Sequence, residues 1–288
     1  MDDGRMRILL TNDDGIDSVG FRALYDGLSR VAEVVAVAPT NDRSAVGRAL
    51  STEAPVAEHE LGYAIDGTPA DCVVAGLEVL YPDVDMVVAG CNKGANLGAY
   101  TLGRSGTVSA AVEAAFFEVP AIAVSLYVPA VENWEAVATE PEDFRSPVDV
   151  ATFLADNAID AGVFEHAEYL NVNAPYVPPD RRPSGDDDPG DAEVEDGFDP
   201  DADGLLPIEV TRPSRLYDMT AERNGDSIRV RDRIWERMED GSLPEPEGTD
   251  RRAVMNDRVS VSPLTAPHTT ERHEALDELV ETYGPNRQ

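Results

Sequence analysis

Lysine is almost missing from this chain, and with it any cluster of lysines. Lys93 is the only one, and 23 lysine and arginine residues face 56 acidic residues, for a formal net charge of −33. A nucleic-acid groove needs clustered basic side chains to neutralise phosphates, so this composition argues against one. Two interpretations of the acidity remain. We favour a surface adapted to high salt, which screens like charges; the other is a surface that attracts cations or basic partners.

Cysteine and long apolar runs are scarce as well. Cys72 and Cys91 are the only cysteines, fit no metal-binding spacing, and are typical of small buried residues in a reducing compartment. No apolar stretch approaches the roughly 20 residues that cross a bilayer, and the opening MDDGRMR is acidic without an apolar signal core. We therefore expect a cytoplasmic protein that does not enter a membrane.

One stretch, residues 8–17 (ILLTNDDGID), indicates where the chemistry lies. A short aliphatic run predicts a buried parallel strand, and ligands of open α/β sheets bind beyond the carboxyl ends of such strands. Asp13 and Asp14 follow directly, and two adjacent carboxylates repel each other unless a cation or a shared proton relieves them. An Asp-rich turn that caps the next helix is the alternative, because Asn-Asp-Gly is also common turn chemistry.

Strand-like and helix-like segments alternate through the first 177 residues, which predicts an α/β fold: a Rossmann-like, doubly wound, mostly parallel sheet. Residues 178–204 are rich in Asp, Pro and Gly and predict an acidic loop insertion. Residues 205–264 carry the turn signal Asn224-Gly225 and predict a hairpin-like oligomerisation arm followed by a return to the core. Residues 265–288 predict a charged C-terminal helix.

Polar loops follow three of the predicted strands. They contain Asn12-Asp13-Asp14, then Arg43-Ser44, then Asn92 with Asn96, and a helix start at Ser105-Gly106-Thr107 comes next. Carboxylate, hydroxyl and amide oxygens suit a hard divalent cation such as magnesium or manganese. Backbone N–H groups at a helix start suit a phosphate. A metal beside a phosphate site is typical of a metal-assisted phosphoester hydrolase.

The amino-acid sequences of these loops make that hypothesis more specific. ILLTNDDGID, RSAVGRALS, GTPADC, GCNKGANLG, SGTVSAAVEA and TDRRAVMNDRVSVSPL occur in this order. Together they closely resemble the stationary-phase survival protein family SurE, from about residue 6 to residue 264. The resemblance implies a metal-dependent 5′-nucleotidase that releases phosphate from nucleoside monophosphates. It also implies one divalent metal per subunit and self-association, as a swapped-arm dimer or a tetramer.

The resemblance also implies roles for individual residues. Asp13, Asp14, Ser44 and Asn92 match the family's metal ligands, and Asn96, Ser105, Gly106 and Thr107 match its phosphate contacts. We add Asn12 to the substrate-binding set. Asp13 and Asp14 are the expected catalytic pair, with Asp13 preferred as the group that orients or deprotonates the attacking water.

Some positions depart from the family's pattern. Ala45 stands where the family commonly has glycine after the metal-ligand serine, Cys91 stands where it often has isoleucine, and Arg104 directly precedes the SGT turn. These changes leave the metal set intact and affect the expected substrate preference. A covalent aspartyl-phosphate enzyme is disfavoured, because such enzymes have two carboxylates separated by one residue after the first strand, whereas Asp13 and Asp14 are adjacent. A nucleotide- or metal-binding regulatory module without turnover remains as the alternative function.

Overall fold

The computed structural model describes residues 5–129, 134–181 and 206–266, and these segments form eleven strands and seven α-helices. The strands are β1 (Arg7–Thr11), β2 (Glu33–Pro39), β3 (Val56–His59), β4 (Gly62–Ile65), β5 (Met86–Lys93), β6 (Ala121–Tyr127), β7 (Tyr169–Pro175), β8 (Ile208–Val210), β9 (Met219–Asn224), β10 (Ser227–Asp232) and β11 (Val259–Leu264). The helices are α1 (Val19–Leu28), α2 (Pro69–Ala75), α3 (Ala99–Leu102), α4 (Gly106–Phe116), α5 (Arg145–Asn157), α6 (Ile234–Glu239) and α7 (Asp250–Met255). A π-helical turn, Gly76–Leu80, prolongs α2.

Nine of these strands form one sheet in the order β3-β4-β2-β1-β5-β6-β7-β11-β8. The pairs from β4 across to β7 are parallel, whereas β3 pairs antiparallel with β4 and β11 antiparallel with β7. This arrangement confirms the predicted α/β fold with a mostly parallel sheet. β1 lies between β2 and β5, so the loops that follow these three strands share one edge of the sheet.

Alternate residues of the central strands enter two separate cores. In β1, Ile8 and Leu10 pack with α1 and α5, while Leu9 between them packs with α2 and α4. The same division by alternate residues recurs in β2, β5 and β6. Successive side chains of a strand point to opposite faces, so a continuous apolar run such as ILL supplies both cores. The sheet is therefore doubly wound, as its sequence predicts.

The sequence predicts strands at residues 33–39 (EVVAVAP) and 121–127 (AIAVSLY), and these coincide with β2 and β6. It also predicts an extended or hairpin-like segment at 51–66, which forms the antiparallel pair β3–β4. A third predicted strand was to end at residue 89, followed by a glycine-rich loop from residue 90. That boundary was wrong, because β5 continues to Lys93 through a register shift between Ala89 and Asn92. Gly90 has φ +139°, and a Cβ there would meet the carbonyl oxygen of Val124. A shift at glycine lets the strand carry polar residues onward to the sheet edge.

The late segment divides between two structures. β8 joins the main sheet beside β11, whereas β9 and β10 form a separate two-stranded hairpin around Asn224-Gly225. The predicted acidic insertion at 178–204 lies almost wholly outside the described residues, as does the predicted C-terminal helix at 265–288. Within the three described segments, no helix is both long and apolar enough to span a bilayer.

Candidate active site

Asp13 and Asp14 lie directly after β1, at the centre of the sheet edge. Asp13 is 3% exposed, and its Oδ1 accepts a hydrogen bond from the Thr107 hydroxyl at 2.6 Å. Asp14 Oδ2 accepts a hydrogen bond from the backbone N–H of Lys93 at 3.1 Å. The loop is anchored to β2 as well, because Ile16 N donates to the carbonyl oxygen of Pro39 at 2.9 Å. The buried carboxylate of Asp13 is thus held by α4 and the half-buried one of Asp14 by β5, and the helix-capping alternative leaves these contacts unexplained.

The electrostatics of this pair favour a bound cation. Burial, together with the neighbouring charge of Asp13, raises the pKa of Asp14 to about 7. Burial also raises the pKa of Asp13, although the hydrogen bonds from Thr107 oppose that shift. Charged carboxylates taken out of water need compensation from a partner of opposite sign. A cation at this point would restore the charged form of both.

The loop after β2 reaches the same point. Arg43 N donates to the carbonyl oxygen of Asp13 at 2.7 Å, which brings the adjacent Ser44 beside the aspartate pair. The Ser44 hydroxyl and backbone N–H both donate to Asp42 Oδ1, at 2.6 and 2.7 Å. Asp42 itself contributes to the raised pKa of Asp13 and of Asp14, which places a third carboxylate near the pair. Asp42 was not among the predicted site residues, although its position next to Arg43-Ser44 offered a signal.

Ala45 adopts the left-handed conformation with φ 61°. A residue with a Cβ is disfavoured there by roughly 1–2 kcal/mol, whereas glycine enters this region without that cost. The structure thus gives a physical reason for the glycine that the family commonly has at this position.

At the end of β5, the Asn92 side chain donates from Nδ2 to the carbonyl oxygen of Gly94 at 2.6 Å. This bond leaves its side-chain oxygen as the group that can bind a metal. The hydrogen bond from Lys93 N to Asp14 brings Asn92 next to the aspartates. The loops that carry the four residues predicted as metal ligands therefore meet at the ends of β1, β2 and β5, and the binding of a metal by these residues stays a prediction.

Asn96 lies in a buried polar network. Its backbone N–H donates to Asn173 Oδ1 at 2.8 Å, and its side chain donates to the Ser125 hydroxyl at 2.9 Å. Asn171 Nδ2 donates to the carbonyl oxygen of Asn96 at 2.9 Å. These three partners are completely buried. None of the three was predicted as a site residue; two asparagines at alternate positions of an apolar strand, as in NVNAP, were the available signal.

The start of α4 packs against Asp13. The Ser105 hydroxyl caps the helix by accepting a hydrogen bond from Val108 N at 3.0 Å, and its own proton remains for another acceptor. A Cβ at Gly106 would lie 2.7 Å from Asp13 Oδ2, so glycine permits this approach. Because the Thr107 hydroxyl donates to Asp13, it positions the aspartate in this structure, and its predicted contact with phosphate stays a prediction.

The donor set fits a hard divalent ion. Among residues 5–129, 134–181 and 206–266 there is no group of three or more His, Cys, Asp or Glu side chains arranged to hold a metal. What the site offers is the oxygen set of Asp13, Asp14, Ser44 and Asn92, which is the chemistry that magnesium and manganese prefer.

Asn12 is fully buried, and its Nδ2 donates to Gly15 O and Ser18 Oγ within the loop. A contact of Asn12 with substrate stays a prediction.

A second buried polar cluster, formed by Glu245, Asp250 and Arg251, holds the far end of the 94–98 loop. Asp250 Oδ2 accepts a hydrogen bond from Gly98 N at 2.6 Å. Arg251 is 1% exposed; it donates to the carbonyl oxygen of Leu97 at 3.1 Å and pairs with Glu245 at 3.3 Å. The late motif TDRRAVMNDR thus holds the loop that carries Asn96. Residues of the last third of the chain thereby contact the loops of the sheet edge.

Comparisons with known proteins agree with this geometry. The family model described as survival protein SurE matches residues 8–185. The chain is 59% identical over 281 residues to the 5′-nucleotidase SurE of Haloarcula marismortui, covering 97% of this chain and 96% of that protein. It is 37% identical to the 5′-nucleotidase SurE of Archaeoglobus fulgidus over 267 residues, with 90% and 91% covered. The crystal structure of the SurE protein from Aquifex aeolicus superposes with a TM-score of 0.70 at 28% identity, covering 96% of this chain and 100% of that chain.

Proposed function

The chain belongs to the SurE survival protein family, and from this premise we propose that it is a metal-dependent 5′-nucleotidase that hydrolyses nucleoside monophosphates to nucleoside and phosphate. The observation that carries the proposal is the adjacent pair of the buried Asp13 and the half-buried Asp14, whose pKa values are raised; Thr107 of α4 contacts Asp13. Matches to halophilic relatives over nearly the whole chain support the same reaction and the interpretation of the acidic surface as salt-adapted.

We assign one divalent ion per subunit, magnesium or manganese, to Asp13, Asp14, Ser44 and Asn92. When bound, such an ion would polarise the phosphoryl oxygens and acidify a water molecule. The substrate phosphate would lie at the N-terminus of α4, where Ser105 retains a hydroxyl proton to donate and the helix dipole favours negative charge. Asn96 would contribute from its loop.

The proton transfer is assigned to the aspartate pair. Asp13 Oδ1 is held by the Thr107 hydroxyl, which fixes the carboxylate in one orientation. An oriented carboxylate within hydrogen-bond reach of the attacking water can accept its proton as the water oxygen bonds to phosphorus. The bond from phosphorus to the ester oxygen then breaks, and the departing nucleoside oxygen takes up a proton from solvent. Thr107 thus acts through Asp13, and the Ser105 hydroxyl stabilises charge on the phosphoryl oxygens.

The decisive experiment measures phosphate release from a panel of nucleoside monophosphates with magnesium, with manganese and after exhaustive chelation. We expect turnover with either ion and none without. Asp14→Asn should lower kcat/KM by at least about 100-fold, the scale seen when a charge-stabilising group is removed. Asp17→Asn is the matched control, because Asp17 lies on the same loop with an exposed side chain that pairs with Arg22.

Each contrary result has a definite meaning. Full turnover after chelation would exclude the metal role, and activity with zinc alone would contradict the assignment of hard oxygen ligands. Saturable nucleotide binding without phosphate release would favour the regulatory module. Equal losses for the variants at positions 14 and 17 would show that the loop, rather than the aspartate pair, controls the activity.

We further infer that the β9–β10 hairpin contacts a second copy of the chain, in a dimer or tetramer. The hairpin stands apart from the main sheet, and Ile228 and Val230 expose 72% and 62% of their surface. Such apolar exposure on a projecting hairpin is typical of an interaction site. Replacing residues 219–232 by a short Gly-Ser linker should lower the mass measured by light scattering. An unchanged mass would contradict the inference.

We also infer a cytoplasmic location. Cys72 and Cys91 are both free and buried, as expected for a chain that is kept in a reducing compartment. Cell fractionation that recovers the protein with the membrane or the medium would contradict this assignment.

A further inference from the structure

A small cavity lined by aromatic residues lies beside the aspartate pair. Its volume is about 240 Å³, and we call it the aromatic slot; its walls include Gly94, Ala95, Tyr127, Trp134, Trp235 and Glu239. The Tyr127 and Trp235 rings are nearly parallel, with an interplanar angle of 21° and a centroid distance of 6.4 Å. Tyr127 ends β6, and Trp235 lies in the first turn of α6. The slot is thus built between the sheet edge and the last third of the chain.

The aromatic slot adjoins the predicted metal site. A neighbouring cavity of about 260 Å³ is lined by Asp14, Ser18, Lys93 and Thr139, and Trp134 borders both cavities. The Lys93 ammonium lies 4.7 Å from the centre of the Trp134 ring, and the Lys93 backbone donates to Asp14. Lys93 and Trp134 therefore connect the carboxylates to the aromatic slot over the span of a few side chains.

The chemistry of the aromatic slot selects a flat, neutral group. Its walls offer three aromatic rings, and Glu239 is the one charged side chain among its lining residues. A carboxylate at this place disfavours a second phosphate or another anion. Ring faces bind nucleobases by stacking, and the stacking energy per base is large enough to change affinity by an order of magnitude or more.

We propose that the aromatic slot binds the base of the substrate while its phosphate lies at Asp13–Asp14, and that purines, which offer the larger ring surface, bind better than pyrimidines. The inference rests on the proposed nucleotidase function. It assigns Trp235 and Trp134 to substrate specificity, a role that no motif in the sequence indicated.

Intrinsic fluorescence tests the aromatic slot without turnover. The chain has two tryptophans, Trp134 and Trp235, and both line the slot, so any base that enters it contacts the fluorophores. Titrating the protein with adenosine should give a saturable change in tryptophan emission, whereas ribose 5-phosphate, which lacks a base, should give none. Trp235→Phe should retain binding through its ring and leave Trp134 as the single reporter. No saturable change with adenosine or guanosine at millimolar concentration would overturn the proposal.

Kinetics with and without a base separate recognition from folding. We expect Trp235→Ala to raise KM for AMP by about 5- to 100-fold with little change in kcat, in line with the stacking energy of one base. Its kcat/KM for ribose 5-phosphate should stay within about twofold of the parent, and Trp235→Phe should restore most of the KM for AMP. Phe153→Ala is the matched control, because Phe153 is an exposed aromatic residue on α5, outside the aromatic slot.

Two results distinguish a failure of the base-binding proposal from a failure of the nucleotidase function. Equal losses of Trp235→Ala toward AMP and ribose 5-phosphate would show a structural role and overturn the proposal. If the parent protein hydrolysed neither compound, the nucleotidase function itself would fail. The fluorescence titration would still decide whether the aromatic slot takes a base.

Discussion

The segment from Lys93 to Gly98 is held by a carboxylate at each end, the half-buried Asp14 and the buried Asp250, and the two are compensated differently. At one end, Asp14 accepts a hydrogen bond from Lys93 N. At the other, Asp250 accepts three, from Gly98 N, Ser214 N and Arg251 N, at 2.6, 2.9 and 2.8 Å. Burial raises the pKa of both side chains. At Asp250 the three amide donors and the Arg251 charge oppose that shift, whereas at Asp14 the Lys93 amide and charge oppose it while the charge of Asp13 adds to it.

The buried guanidinium of Arg251 completes the second cluster. Arg251 contacts Glu245, Ser214 Oγ and the carbonyl oxygen of Leu216, and Ser214 and Thr249 hydroxyls donate to the two oxygens of Glu245. Arg251 gives this cluster a buried counter-charge in direct contact with Glu245, whereas Asp13 and Asp14 are compensated by hydrogen-bond donors, with the charge of Lys93 contributing least. The comparison teaches that burial of a carboxylate does not identify a functional group; weak compensation by charges within the chain is the better indication.

The sharpest test of this difference removes one charge from each cluster in metal-free protein near pH 8. Arg251→Met should lower the free energy of unfolding by about 3–5 kcal/mol, because it leaves Glu245 buried without its counter-charge. Asp14→Asn should leave the free energy of unfolding unchanged or raise it, because the substitution removes the repulsion between Asp13 and Asp14. Chemical denaturation of both variants measures the two effects.

The surface offers a control for the first test. Arg258 pairs with Glu209 at 3.8 Å, with both side chains well exposed, so Arg258→Met should cost no more than about 1 kcal/mol. If Arg251→Met does not fold, Arg251→Met combined with Glu245→Gln should recover stability by removing the unpaired charge. A destabilisation of Asp14→Asn as large as that of Arg251→Met would mean that both clusters are structural.

The next largest effect is a pH dependence confined to the aspartate pair. The pKa of Asp14 is about 7 in the folded protein, above its ordinary value of 3.8, so the folded state holds its proton over a wider range than the unfolded chain. The stability from this group is fully present below about pH 4 and is lost as pH rises through about 7. Between pH 5 and 8, metal-free parent protein should lose about 2 kcal/mol more than Asp14→Asn.

Adding magnesium or manganese should reverse that trend. A cation binds the deprotonated carboxylates, so the stabilisation that it provides should grow as pH rises through 7. Parallel denaturation curves with and without the ion measure this. A parent protein whose metal-free pH profile coincided with that of Asp14→Asn would show that the pKa of Asp14 is not raised.

The smallest effect is the response of the buried clusters to salt. With a net charge of −33, the parent protein should gain melting temperature strongly toward molar potassium chloride, because the Debye length falls from about 10 Å at 0.1 M to about 3 Å at 1 M. Buried pairs are screened much less, so the loss caused by Arg251→Met should change by less than about 1 kcal/mol over the same range. If the melting temperature did not change with salt concentration, the acidic surface would be explained by partner binding and not by salt adaptation.

Much of the fold could be predicted because its signals are local. A few neighbouring residues are enough to identify the strand at ILL before Thr11-Asn12, the strand at EVVAVAP and the helix that starts at Ser105. The continuation of β5 to Lys93 was missed because Gly90 reads as a loop residue, whereas pairing with β6 on one side keeps the strand intact beyond it. A partner strand distant in the chain overrode the local preference.

The candidate site divides in the same way. Asp13, Asp14, Ser44 and Asn92 were predicted from motif wording, and their placement at one sheet edge follows from the strand order. The partners of Asn96 and the walls of the aromatic slot were not predicted: Ser125, Asn171 and Asn173 bind Asn96, and Trp134 and Trp235 line the slot. Each comes from an element far along the chain. The asparagines of NVNAP offered a local signal, whereas nothing in the neighbouring sequence marks the two tryptophans.

The sequence by itself determined the alternation of strands and helices and the family, and it supplied the candidate oxygen ligands, because periodicity and short motifs are properties of neighbouring residues. Only the tertiary structure decided which buried carboxylates are compensated. Asp14 and Asp250 look equally acidic in the printed sequence, and what separates them is the set of distant donors and charges that the fold brings to each. Desolvation and Coulomb interactions depend on distances in space, and those distances exist only once the chain has folded.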